Sequence, residues 1–183
     1  TLTFSPSGRW VSITNQLFYH NPQPLDLVLA LYTKLGIALN DAGIRCWGEK
    51  YRFNYLRPVD YIRQNIQSDW NTLMCPDGTG RYFTPEFSTY PSGHATFGAA
   101  AAEVLSQNMG YNYEMMDNSH KGRTEFKGMP RRFKSFYAMA EENAYSRIPI
   151  GVHFRMDSEA GLELGYKIGW KVCNEIKWMK NYN

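Results

Sequence analysis

Apolar residues recur at intervals of three and four along much of the chain, the period that places them on one face of an α-helix. The strongest run is Leu25, Val28, Leu29, Tyr32, Leu35, Ile37 and Leu39, with Pro22 and Pro24 at its mouth, and it predicts a long amphipathic helix. Asp41 is placed to cap a second helix reaching about Leu56, where Arg57-Pro58 interrupts it and Val59 to Gln64 resumes for a turn or two. Ala95 to Gln107 is an alanine-rich helix ending near Gly110, and Phe133, Phe136, Tyr137 and Ala140 mark another that runs to Tyr145. Leu164, Ile168, Val172 and Ile176 set out a last helix from Asp157 or Ser158 to about Trp178. That helix also carries Gly161, Gly165 and Gly169 at intervals of four; glycine weakens a helix, so the stripe predicts close packing against another backbone.

Elsewhere the period fails. Residues 1–21, with Ser5-Pro6-Ser7-Gly8 among them, read as an irregular lead-in holding a helical turn around Val11 to Leu17. Asn65 to Tyr90 is punctuated by Pro76, Asp77-Gly78, Gly80 and Pro85, a loop of the length that tends to carry function. Its Tyr82, Phe83, Phe87 and Tyr90 either wall a pocket or anchor the loop. Tyr111 to Arg132 is irregular and charged, and no segment alternates as a strand does. The expected fold is all-α, a helical bundle in which residues 1–183 form one catalytic domain and long loops hold the polar residues.

Composition narrows the function. A chain of 183 residues buries a sizeable core. Its net charge of +3 argues against bulk nucleic-acid binding. No apolar run reaches the length needed to cross a bilayer, so the chain reads as soluble, with no membrane partner. Cys46, Cys75 and Cys173 have no zinc-like spacing and allow at most one bridge. Thr1 in place of an initiator methionine points to a processed product or an excised portion. That leaves export, the native compartment and a homo-oligomer open.

The chemistry concentrates in three places. Pro91-Ser92-Gly93-His94 opens the alanine-rich helix, where free N–H groups and partial positive charge suit a tetrahedral oxyanion and His94 adds a titratable group. Lys50 and Arg57, seven apart, and Ser146-Arg147 supply cations. His153 is followed four residues later by Asp157, a carboxylate able to fix one imidazole tautomer and leave the other nitrogen free to attack or coordinate. Taken singly, each set has a bland reading: a solvated face, a helix-terminal charge, a satisfied core histidine. Taken together, Lys50, Arg57 and Arg147 can surround three oxygens of a phosphate-like anion, with the Ser92 and Gly93 N–H groups completing the cradle.

In order and spacing, Lys50 to Arg57-Pro58, then Pro-Ser-Gly-His, then Ser146-Arg147, His153 and Asp157, the pattern resembles the signature shared by vanadium-dependent haloperoxidases and the type 2 phosphatidic acid phosphatases, soluble acid phosphatases included. The resemblance implies vanadate as cofactor, with phosphate able to take the same site. It implies His153 as the metal's axial ligand or as nucleophile toward phosphate, and Lys50, Arg57, Ser92, Gly93 and Arg147 as holders of the equatorial oxygens. His94 becomes the acid–base group, and Lys50 also draws charge from bound peroxide. Tyr90 to Gly98 looks closer to the fungal chloroperoxidase type and its bacterial relatives, where Trp47 and Phe87 fall at the aromatic positions beside the halide. The implied function is vanadate-dependent oxidation of halide by hydrogen peroxide, passed to an organic acceptor. The alternative is hydrolysis of a phosphate ester through a phosphohistidine. One departure is Glu86, a carboxylate where the pattern has a second proline, which would repel halide unless it faces outward. Members of this kind are longer, with a further helical bundle, which here would precede Thr1.

Overall fold

A computed structural model describes residues 5–75, 79–124 and 128–177. Six helices and one short hairpin make up the described chain: α1 (Pro6–His20), α2 (Leu25–Phe53), α3 (Pro58–Asn65), α4 (Gly93–Met109), β1 (Met115–Asp117), β2 (Arg131–Phe133), α5 (Phe136–Tyr145) and α6 (Arg155–Glu175). The mainly helical expectation holds.

The centre of the bundle is α4, which packs against α6, α2, α5 and α1. Its residues Ala99 to Ala102 are fully buried, and their small side chains let neighbours come close. The closest neighbour is α6. A Cβ built on Gly161 would lie 2.7 Å from the Ser92 carbonyl oxygen, on Gly165 2.3 Å from that of Thr96, and on Gly169 2.6 Å from that of Ala100. The glycine stripe therefore lies along the α4 backbone and allows the two helices to touch. The start of α6 is thereby fixed beside the start of α4, where the Ser92 N–H donates to the Asp157 carbonyl oxygen at 2.9 Å.

Several boundaries differ from the sequence reading. The lead-in is a fifteen-residue helix, α1. Ser5 caps it by accepting from the Gly8 N–H at 3.1 Å, and Pro6 occupies its first turn. Residues that looked like turn formers are thus a helix start, and Trp10, Ile13, Thr14 and Leu17 face the core from it. The two helices expected between residues 25 and 56 are one. Asp41 does not interrupt α2, which ends where Asn54 enters the left-handed region at φ 48°. Segment 111–132 contains a strand, β1, which pairs antiparallel with β2. Phe133 belongs to β2, and α5 begins three residues later, capped by the Ser135 hydroxyl accepting from Ala138 N–H at 3.0 Å. The last helix begins at Arg155 and ends at Glu175; the expected end, Trp178, lies outside the described residues.

The helical stretch Leu25–Asn65 holds a window of mean hydropathy 1.3, so by length and composition one helix can cross a membrane. Reading for unbroken apolar runs overlooked it because Thr33, Lys34, Asn40 and Asp41 interrupt the window. In the fold, Leu31, Leu35, Ala38, Leu39 and Ala42 of this helix enter the core.

Candidate active site

Five segments converge at one end of the bundle. The last turn of α2 brings Lys50, and the residue before α3 brings Arg57. The N-terminus of α4 supplies Ser92, Gly93 and His94. The turn after α5 brings Arg147, and the start of α6 brings His153 and Asp157. Their proximity is electrostatic as well as topological: His94 feels Arg147, His153, Arg57 and Lys50, and Arg57 feels both Asp157 and Arg147.

The cations are held by main-chain carbonyls. Lys50 is 1% exposed, and its ammonium donates to the carbonyl oxygens of Ser88 and Thr89, both at 2.9 Å. An ammonium has three N–H groups, so one remains. Arg57, 3% exposed, donates from Nε to the Phe87 carbonyl oxygen and from Nη1 to that of Val152, both at 2.8 Å. Loop residues Phe87 to Thr89 thus act as a bracket for both side chains. Arg147 is partly buried, with Nη2 3.8 Å from Met74 Sδ, and its buried Nε has no hydrogen-bond partner among the described residues.

Burial pulls Lys50 down to about 8 and Arg57 and Arg147 to about 10. Among the described residues no carboxylate lies within 4.0 Å of any of the three. Cations clustered largely out of solvent with no carboxylate in contact are expensive, Asp157 offsetting the cost only in part for Lys50 and Arg57, and an anion among them would offset more.

The two imidazoles differ. His153 Nδ1 lies 3.1 Å from Asp157 Oδ2 and 3.1 Å from Thr89 Oγ1. With its Nδ1–H donated into that pair of oxygens, Nε2 keeps the lone pair. Burial lowers His153 to about 4, partly opposed by its hydrogen bond to Asp157. Asp157 is fully buried and its Oδ2 also accepts from the Phe154 N–H at 2.9 Å. Among the described residues, no carboxylate pairs with His94 in this way. Burial, then Arg147 and His153, lower it to about 3, and its carbonyl oxygen accepts from Asn143 Nδ2 at 2.8 Å.

Trp47 and Phe87 form an aromatic wall, their ring centroids 5.5 Å apart. The Lys50 ammonium sits 5.8 Å from the Trp47 ring centre and 5.4 Å from that of Phe87, while the Arg57 guanidinium is 5.0 Å from Phe87. Cation–π attraction helps hold these charges in place. A Cβ on Gly93 would meet the Trp47 ring at 3.3 Å, so the bare glycine leaves the ring its position. Glu86 is exposed and lines a separate groove with Asp60 and Arg63.

One expected donor is already engaged: the Ser92 N–H serves the Asp157 carbonyl. What Ser92 offers an anion is its hydroxyl proton, while the hydroxyl oxygen caps α4 by accepting from the Ala95 N–H at 3.5 Å. The remaining donors, an ammonium, two guanidiniums, a hydroxyl and the Gly93 N–H, suit a tetrahedral oxyanion such as vanadate or phosphate.

Residues 30–181 match the model of the VCPO second helical-bundle domain. The chain belongs to the vanadium haloperoxidase family.

Vanadium chloroperoxidase of Curvularia inaequalis is 28% identical over 174 residues, covering 73% of this chain and 29% of that protein. The crystal structure of the first bacterial vanadium-dependent iodoperoxidase superposes with a TM-score of 0.85 at 32% identity, over 98% of this chain and 41% of that one. A holo-type bacterial vanadium-dependent chloroperoxidase, at 17% identity and TM-score 0.65 over 92% of this chain and 40% of its own, shares the fold. The chain thus spans well under half the length of these haloperoxidase relatives.

Sequence reading missed one member of this cluster. Thr89 is fully buried, and its hydroxyl donates to Asp157 Oδ2 at 2.5 Å. A lone threonine in an aperiodic loop gives no signal for a contact 68 residues away.

Proposed function

We propose that this domain carries the vanadate-dependent oxidation of halide by hydrogen peroxide. The observation that carries the reading is the set of three cations, Lys50 and Arg57 buried and Arg147 partly buried, with no carboxylate in contact among the described residues, gathered beside a histidine whose Nδ1 faces Asp157. Kinship with a bacterial iodoperoxidase and a fungal chloroperoxidase supports the peroxidase over the phosphatase alternative.

His153 Nε2 would ligate vanadate, and Lys50, Arg57, Arg147, the Ser92 hydroxyl and the Gly93 N–H would hold its oxygens. When bound, vanadate supplies a Lewis-acid centre that makes peroxide electrophilic toward halide without a change in metal oxidation state. The chain's own work is electrostatic and positional. Lys50, Arg57 and Arg147 neutralise the oxyanion in a site closed to much of the solvent, where each charge counts for more than in water. Asp157 keeps His153 in the tautomer that presents Nε2. His94, uncharged at neutral pH, would accept and return a proton at its imidazole ring beside the bound anion. Trp47 and Phe87 exclude water from the side of the anion where halide arrives, and their polarisable edges tolerate large, weakly hydrated iodide and bromide better than chloride. Overall, hydrogen peroxide, halide and a proton give hypohalous acid and water, and the hypohalous species passes to an organic acceptor.

The test sets two assays side by side on the purified protein. Vanadate-loaded protein is expected to oxidise iodide and bromide with peroxide and to hydrolyse a generic phosphomonoester poorly. Efficient phosphomonoester hydrolysis with no halide oxidation would replace this reading with a phosphohistidine mechanism at His153.

A further inference from the structure

The loop Phe87 to Thr89 meets the site three times through its carbonyls, but only one of its side chains enters the imidazole–carboxylate pair. Thr89 is fully buried. Its hydroxyl donates to Asp157 Oδ2 at 2.5 Å and stands 3.1 Å from His153 Nδ1. Its carbonyl oxygen accepts from the Lys50 ammonium at 2.9 Å. Its N–H donates to the Tyr55 carbonyl oxygen at 3.1 Å, fixing the residue to the segment between α2 and α3.

We infer that Thr89 is a positioning residue that locks the His153–Asp157 pair in the orientation needed to hold a tetrahedral oxyanion, and links that pair mechanically to Lys50. This rests on the proposed oxyanion chemistry of the site.

Asp157 Oδ2 takes three donors: the Phe154 N–H, the Thr89 hydroxyl and the His153 Nδ1–H. Its other oxygen, Oδ1, is buried with no hydrogen-bond partner among the described residues. The carboxylate is therefore oriented from one side only, and the backbone donor alone leaves it free to rotate about the bond to Cβ. The threonine hydroxyl removes that freedom. It donates its one proton to Asp157, so its oxygen offers His153 a second acceptor and holds the imidazole plane between two fixed oxygens. Outer partners that orient a ligating histidine in this way typically control ligand affinity by about 10–100-fold.

The carbonyl of the same residue sets the ammonium of Lys50. A shift of the Thr89 backbone would move together the histidine that would ligate vanadate and a cation that would hold its oxygens. The hydroxyl can be removed without touching that carbonyl. Thr89→Val keeps the branched shape and the backbone bonds and deletes the donor to Asp157 together with the second acceptor for His153 Nδ1.

The experiment measures binding of inorganic phosphate and of vanadate by calorimetry in the wild type, Thr89→Val and Thr89→Ser, with thermal melts of each. Thr89→Ser is expected to bind within about threefold of wild type, because the hydroxyl is restored. Thr89→Val is expected to lose about tenfold in affinity for both anions, with a cooperative melt retained. Wild-type affinity in Thr89→Val, or a loss in Thr89→Ser equal to that in Thr89→Val, overturns the proposal. Should Thr89→Val not fold, the ring N–H proton of His153 is followed in the wild-type protein by NMR. Slow exchange supports the enclosed contact, and exchange as fast as that of free imidazole overturns it. These readouts do not depend on turnover. Failure of the peroxidase reading shows instead as absent halide oxidation in wild-type protein that binds both anions.

Discussion

Gly165→Ala and Gly36→Ala add the same methyl group to a helix and are expected to change stability in opposite directions. At Gly165 the new Cβ would lie 2.3 Å from the Thr96 carbonyl oxygen, 2.7 Å from Ala99 Cβ and 2.9 Å from the Ala100 nitrogen. These are backbone and Cβ atoms of α4, with no flexible side chain able to move aside, so α6 must retreat from α4. Overpacking of this kind costs about 1–3 kcal/mol, against a helix-propensity gain of about 0.5–1 kcal/mol. At Gly36, in α2, nothing lies within 4 Å of the added atom, so only the gain remains. In a chain of this size each kcal/mol moves the melting temperature by about 2–4 °C. Gly36→Ala should melt a few degrees above wild type and Gly165→Ala several degrees below it, both followed by far-UV circular dichroism and checked by urea unfolding. Gly165→Ala should also bind phosphate more weakly, because the retreat of α6 stretches the Ser92–Asp157 main-chain bond that joins the two helix starts at the site. Equal or greater stability of Gly165→Ala would refute the packing argument, and with it the claim that the stripe positions the site.

His94 and His153 should separate by role: His153→Ala should abolish vanadate binding, measured by calorimetry, while His94→Ala should keep most of the affinity and lose turnover. His94 has a folded-state pKa of about 3, below its ordinary 6.5. The unfolded chain therefore takes up a proton that the folded one refuses. Its contribution to stability is complete above pH 6.5 and is lost as pH falls toward 3. A plot of melting temperature against pH over that window should be flatter in His94→Gln than in wild type. Trp47→Ala should lower the rate of bromide and iodide oxidation more than it lowers affinity for vanadate, and a parallel loss in both would reduce the ring to packing.

The parts of the site legible in sequence share one property: they are local. Pro91 to His94 reads as a helix start because turn formers run directly into alanines, and α4 begins there. His153 and Asp157, four apart, face each other because that spacing is one turn of α6 and its entry. The glycine stripe was legible for the same reason, as a periodic signal on one helix. The hydrogen bonds made by the aperiodic loop were not. Thr89 reaches residues 64 and 68 positions away, and the carbonyls that hold Lys50 and Arg57 belong to any residue type, so no sequence marks them. The sequence points the Ser92 N–H at an anion because the first turn of a helix leaves its donors free, whereas in the fold the close approach of α6 supplies an acceptor. In α1, Ser5, Pro6 and Gly8 misled because turn formers and helix-start residues are the same amino acids, and only the burial of Trp10, Ile13 and Leu17 distinguishes the two.

A vanadate titration of peroxide-dependent iodide oxidation tests the central claim most directly. Metal-free protein should be inactive, and the rate should rise with added vanadate and saturate at about one equivalent per chain, as one anion site and one histidine with a free Nε2 require. Inorganic phosphate should compete, since both anions use the same donors. A rate independent of vanadate, or saturating binding of vanadate with no iodide oxidation at any peroxide concentration, would contradict the account.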